Sequence, residues 1–171
     1  MAILTNYEGS NDDYENGGTV AGRGQSFSVP SDSSCTSISI YGSAGAAASG
    51  TTRFSIHSTS MTGTELVGKT ITTTTLSGYG SPVWNEITFD SPVNLTGGVT
   101  YYLKVLSLTG SASDELRWST DTSSPSYASG GAWYATSGDT GWVDHSGTRD
   151  KNFRVNGTVT TTNTGSFFLL F

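Results

Sequence analysis

Between positions 118 and 142 the chain sets Trp118, Tyr127, Trp133, Tyr134 and Trp142 in a stretch otherwise rich in Gly and Ser. An aromatic ring shares a flat apolar face with a sugar ring, so exposed rings stack on saccharides, while buried ones supply packing area. Trp118 is expected in the core. Tyr127, Trp133, Tyr134 and Trp142 are the candidates for a glycan-binding surface, because loops on rigid β scaffolds commonly carry function. The same region holds Asp139, Asp144 and Asp150, carboxylates that could order a loop around calcium, as could Asp12 with Asp13. Neither segment matches an EF-hand, and solvated acidic turns are the competing reading. Calcium is the one cofactor the residues suggest.

Catalytic chemistry has little to build on. A nucleophilic Ser or Cys needs an adjacent base oriented by a third group, and the only histidines are His57 and His145. With 27 serines, some Ser near some His is expected by chance, and no G-x-S-x-G occurs. Glu8, Glu86, Asp90, Glu115, Asp121 and Asp144 could pair for glycoside hydrolysis, but nothing in the sequence sets two of them at a working separation. The expectation is a protein that is not an enzyme.

A third chemistry is apolar. Phe167, Phe168, Leu169, Leu170 and Phe171 follow the polar spacer Thr160-Thr161-Thr162-Asn163-Thr164. Five such side chains leaving water would contribute roughly 8–15 kcal/mol, at about 1.5–3 kcal/mol each, before the entropy of ordering them. The run is too short to span a bilayer, which takes about 20 apolar residues. It reads as a docking tail for a partner protein, the alternative being a last strand folded onto its own domain.

The elements that must position these groups are strands. Ser and Thr make up 54 of the 171 residues, Gly adds 22, and only 13 % are charged. Aromatics at 11 % argue against disorder. Apolar residues recur at every second position between turn signals: Phe27 and Val29, Ile38 and Ile40, Phe54 and Ile56, Ile87 and Phe89. His57 falls in the opposite phase to Phe54 and Ile56. The run from Thr100 to Leu108 is apolar on both faces, which predicts a central strand covered outside by a loop or by another subunit. Leu66 to Leu76 reads as a long Thr-rich strand, and Ser43 to Ser49 as a loop. No helical period appears. The predicted fold is all-β, an antiparallel two-sheet β-sandwich of jelly-roll type with an extended tail: residues 1–19 an arm or first strand, 20–159 the sandwich, 160–171 spacer and tail.

A net charge of −6 with no Lys/Arg cluster argues against nucleic acid as a ligand. The first residues, Met1 to Glu8, lack the pattern of a signal peptide. Cys35 is the single cysteine, so an internal disulfide is excluded.

Three stretches, Gly24-Gln25-Ser26-Phe27-Ser28-Val29, Trp84-Asn85-Glu86-Ile87-Thr88-Phe89 continuing through Pro92-Val93-Asn94-Leu95 to Tyr101-Tyr102-Leu103, and Leu116-Arg117-Trp118, together resemble the choice-of-anchor R type of β-sandwich module. Related jelly rolls occur in bacterial surface proteins and phage structural proteins. The resemblance covers roughly residues 20 to 157, is mainly a packing signature and implies no catalytic residue. Without an export signal it implies a phage virion component made in the host cytoplasm: a head-decoration, head-fibre or tail-accessory subunit. Such a subunit would be a homo-oligomer, attached to capsid or tail proteins by Phe167 to Phe171. A carbohydrate-binding module or adhesin that meets host-surface glycans is the alternative, and a self-assembling surface filament the second.

Overall fold

The computed structural model describes residues 1–17, 22–109 and 116–160. The proposed docking residues Phe167, Phe168, Leu169, Leu170 and Phe171, and Glu115, lie outside the described residues. Within them the predicted all-β class holds. The strands are β1 (Ala2–Tyr7), β2 (Asp13–Gly17), β3 (Gly22–Ser28), β4 (Ser33–Ala44), β5 (Thr51–Ser58), β6 (Glu65–Thr72), β7 (Val83–Leu95), β8 (Thr100–Ser107), β9 (Leu116–Asp121), β10 (Ala132–Ser137), β11 (Thr140–Asp144), β12 (Asp150–Lys151) and β13 (Phe153–Val159).

Eight of them pair as β1-β13-β4-β7 and β3-β8-β5-β6, all antiparallel. That is the strand order of a jelly roll, in which successive strands wrap from one sheet to the other. β1 is thus a full member of the sandwich. The first sheet grows to seven strands by adding β9, β12 and β2, and the second to six by adding β10 and β11 beyond β3. The predicted strand from Leu66 to Leu76 stops at Thr72, where a 3-10 turn (Thr73–Thr75) begins.

The pleat sends alternate residues inward, and register aligns them. Ile38 lies opposite Val155 and Ile87. Leu103 lies opposite Gln25 and Ile56, and Phe54 opposite Val105. The sheets meet where the rings of Phe27 and Phe153 stand 5.9 Å apart. Ile38, Ile40, Phe27, Phe54, Ile56, Leu103, Trp118 and Phe153 are all fully buried, each stabilising the fold by about 1.5–3 kcal/mol before chain entropy is subtracted. Trp118 belongs to the core as expected, its indole N–H donating to the carbonyl of Asn152 at 2.8 Å. At Gly42, β4 changes partner from β13 to β9. A Cβ there would lie 2.2 Å from the carbonyl oxygen of Arg117, so only glycine allows this approach.

Candidate functional site: the outer face of the six-stranded sheet

The site begins with two absent side chains. Gly22 and Gly24 alternate along β3 and leave its outer face bare, and larger groups settle on the bare backbone. A Cβ on Gly22 would lie 2.5 Å from the ring of Trp142, and one on Gly24 would lie 2.3 Å from Cε of Met61. Trp133 is paired with Gly24 and with Asp144, and Trp142 with Ala135. Trp133 and Trp142 therefore share the outer face as diagonal neighbours on adjacent strands. Trp133 meets Tyr102 edge to face, with centroids 6.0 Å apart and planes at 77°. Trp142 donates its indole N–H to Asp139 Oδ1 at 3.0 Å.

Lys104 lies in the middle of this face. Its Nζ donates to both carboxylate oxygens of Asp139, at 3.0 and 2.9 Å, and to the carbonyl of Met61 at 3.1 Å. The turn from Ser58 to Thr64 brings Met61 over Lys104 and Gly24, so the expected cover of β8 includes a loop of the same chain. The turn also buries His57, which points outward as its phase predicts but is only 4 % exposed. His57 Nδ1 faces the carbonyl of Gly63 at 2.8 Å and Nε2 faces Ser55 Oγ at 2.9 Å, a Ser–His contact sealed from any substrate because Ser55 is 1 % exposed. Burial, followed by the positive charge of Lys104, lowers the His57 pKa against the opposing pull of Gly63, Glu65 and Asp139.

Trp133 and Trp142 come together; the other two candidates do not join them. Tyr134 is the next residue on β10 and so faces the opposite side, packed against His145 at 4.7 Å. Tyr127 packs on the core instead, its ring 5.3 Å from Phe153 and its hydroxyl 3.1 Å from Thr5 Oγ1. The calcium candidates also separate. Asp139 is tied to Lys104 and Trp142, while Asp144 accepts from the backbone N–H and hydroxyl of Ser146 in its own turn. Asp150 is buried, accepting from Tyr127 N at 2.9 Å and Gln25 Nε2 at 3.3 Å, and burial raises its pKa. Among the described residues, no three His, Cys, Asp or Glu side chains are placed to hold a metal ion.

Sequence reasoning missed Tyr102, Lys104 and the two glycines. The glycines did leave a signal: in Gly22-Arg23-Gly24-Gln25 they alternate at the period of a strand. The arrangement sets two indoles on one face with the carboxylates of Asp139 and Asp144 near them.

Residues 10–155 match the model of the family described as Domain of unknown function (DUF4082). The match takes in both sheets, including β10 and β11, and leaves out β1 and the apolar segment. No curated protein matches the chain.

Proposed function

The chain belongs to the family described as Domain of unknown function (DUF4082), and we propose that it is a non-catalytic β-sandwich module that binds carbohydrate through Trp133 and Trp142. One observation carries the reading: the sandwich holds two indoles side by side on an outer face, one braced by Tyr102 and one hydrogen-bonded to Asp139. Half-exposed aromatics with neighbouring acceptors suit sugar rings, which present an apolar face and a hydroxyl rim. Glycan-array binding by the intact chain should vanish in Trp133→Ala/Trp142→Ala and survive in Tyr134→Ala, whose ring lies on the other side. Unchanged binding by the folded double variant would overturn the reading.

A second reading, attachment to a phage particle as a head or tail accessory, rests on the apolar run Phe167 to Phe171 that follows the polar spacer Thr160 to Thr164. The buried cluster of the described residues runs from Leu4 to Val155. β13 then leads to Thr160, whose N–H donates to the carbonyl of Asp32 at 2.8 Å. Phe167 to Phe171 follow in sequence and on this reading dock on a capsid or tail protein, a site repeated by virion symmetry. Deleting residues 166–171 should leave a folded domain that no longer joins particles. Polymerisation of the purified chain alone would instead favour a filament subunit that donates this segment to its neighbour.

A further inference from the structure

The opposite side of the sandwich, the outer face of the seven-stranded sheet, carries a groove of about 260 Å³ lined by Glu8, Gly9, Asn11, Tyr41, Trp84 and Asn152. One wall is aromatic. Tyr41 and Trp84 face each other across β4 and β7, with ring centroids 5.4 Å apart and planes at 61°. The guanidinium of Arg154 lies over the Trp84 ring at 3.9 Å and fixes the indole from the β13 side. The other wall is polar and comes from the segment after β1. Arg154 Nε and Nη2 donate to the two oxygens of Glu8 at 2.8 and 3.1 Å, which holds that carboxyl below its ordinary pKa.

The floor is Asn152, 1 % exposed. Its Oδ1 accepts from Gly9 N at 2.7 Å, and its Nδ2 donates to Asn11 Oδ1 at 2.9 Å and Ser119 Oγ at 3.0 Å. A buried amide with this many partners locks the segment holding Glu8, Gly9 and Asn11 against the sheet, so the groove is pre-formed. Preorganisation matters because no affinity is then lost in ordering the walls.

We infer that this groove is a second saccharide site, taking an uncharged sugar ring between the Tyr41–Trp84 wall and the Glu8–Asn11 wall. The charge balance selects the class: the carboxylate of Glu8 is matched by Arg154, so the groove offers no net charge to an anionic ligand. Polar groups beside an aromatic wall suit hydroxyls on an apolar ring. The inference shares only its ligand class with the reading above, and the two sites lie on opposite faces. A module so built engages two glycan chains at once.

The test is an NMR titration of the intact chain with cellohexaose, chitohexaose and maltohexaose, repeated on Trp133→Ala/Trp142→Ala and on Trp84→Ala, with Tyr41→Ala as a second groove variant. At least one sugar should move the Trp84 indole N–H and the side-chain amide of Asn11 in the intact chain and equally in the Trp133→Ala/Trp142→Ala protein. Trp84→Ala or Tyr41→Ala, whichever retains its dispersed spectrum, should weaken that sugar about tenfold, equivalent to about 1.4 kcal/mol. Movement confined to Trp133 and Trp142 would overturn this inference and leave the earlier reading standing. Movement at Trp84 alone would do the reverse, and no movement at either place would overturn both.

Discussion

Lys104 and Asp139 are joined by two hydrogen bonds, 3.0 and 2.9 Å, from an ammonium on a central strand to a carboxylate at the edge of the same sheet. The Lys104 residue is 5 % exposed, and that carboxylate is the charged group its ammonium bonds. Asp139 also accepts from Trp142, and one side chain therefore both neutralises the lysine and orients the indole.

Asp139→Ala should consequently act twice. It leaves a buried ammonium with the carbonyl of Met61 and no carboxylate, an expected loss of about 1–3 kcal/mol in urea unfolding. It also frees Trp142, so tryptophan emission should move to the red and glycan binding should fall. Asp144→Ala, which removes only a turn contact, should leave the emission unchanged.

The backbone close to Lys104 carries its own strain. Thr59 has φ of 62° at the start of the turn that carries Met61, a left-handed conformation that a β-branched residue adopts at a cost. Thr59→Gly is expected to relieve it and raise stability by about 0.5–1 kcal/mol. A lowered urea midpoint for this variant would show that the Thr59 side chain contributes more than its backbone costs.

Much of the fold is legible in the sequence, and the limits are physical. Ile38/Ile40, Phe54/Ile56 and Ile87/Phe89 alternate, and each pair lies in the core, because period-2 burial is a local property of a strand. Trp133 and Tyr134 stand together in the sequence, yet neighbours on a strand point opposite ways. The outward placement of Trp84 follows from its phase against Ile87 and Phe89. Its groove was not readable, since Arg154 and Glu8 are brought together only by the pairing of β13 with β1. The burial of His57 likewise depends on a turn folding back, which periodicity does not encode.

Gly42, the one glycine of β4, should resist replacement. Added atoms would meet the backbone of Arg117, and a strand cannot retreat without breaking the β4–β9 pairing. Gly42→Ala is expected to cost about 1–3 kcal/mol, as overpacking does, measured as a shift in urea midpoint. Gly80, with φ of 77° and no neighbouring atoms to meet, should cost less when replaced by Asn, which tolerates that conformation.

Cys35 provides a readout for these variants. It is fully buried on β4, and burial pushes its thiol pKa up to about 12. Since the thiolate is the reactive form, iodoacetamide should not label the native protein at neutral pH and should label it fully in denaturant. The labelling rate in dilute urea should rise in Gly42→Ala in proportion to the fraction unfolded. Rapid labelling of the native protein would contradict the packing of β4 between β13 and β7.

His57 sets the expected response to mild acid. Its pKa in the fold lies below the ordinary 6.5, first because it is buried and then because Lys104 is near, with Glu65, Asp139 and the Gly63 carbonyl opposing. The unfolded chain therefore binds the proton more readily, so between 6.5 and the lower folded value stability falls as pH falls. Above that window this residue adds no pH dependence. Glu8 and Glu65 have pKa values lowered from 4.5 by Arg154 and Arg53, and their contributions are lost only at lower pH. Urea midpoints followed downward from neutral pH should decline in the wild type and remain flatter in His57→Gln through the histidine window. Parallel declines in both proteins would show that His57 is not the group responsible.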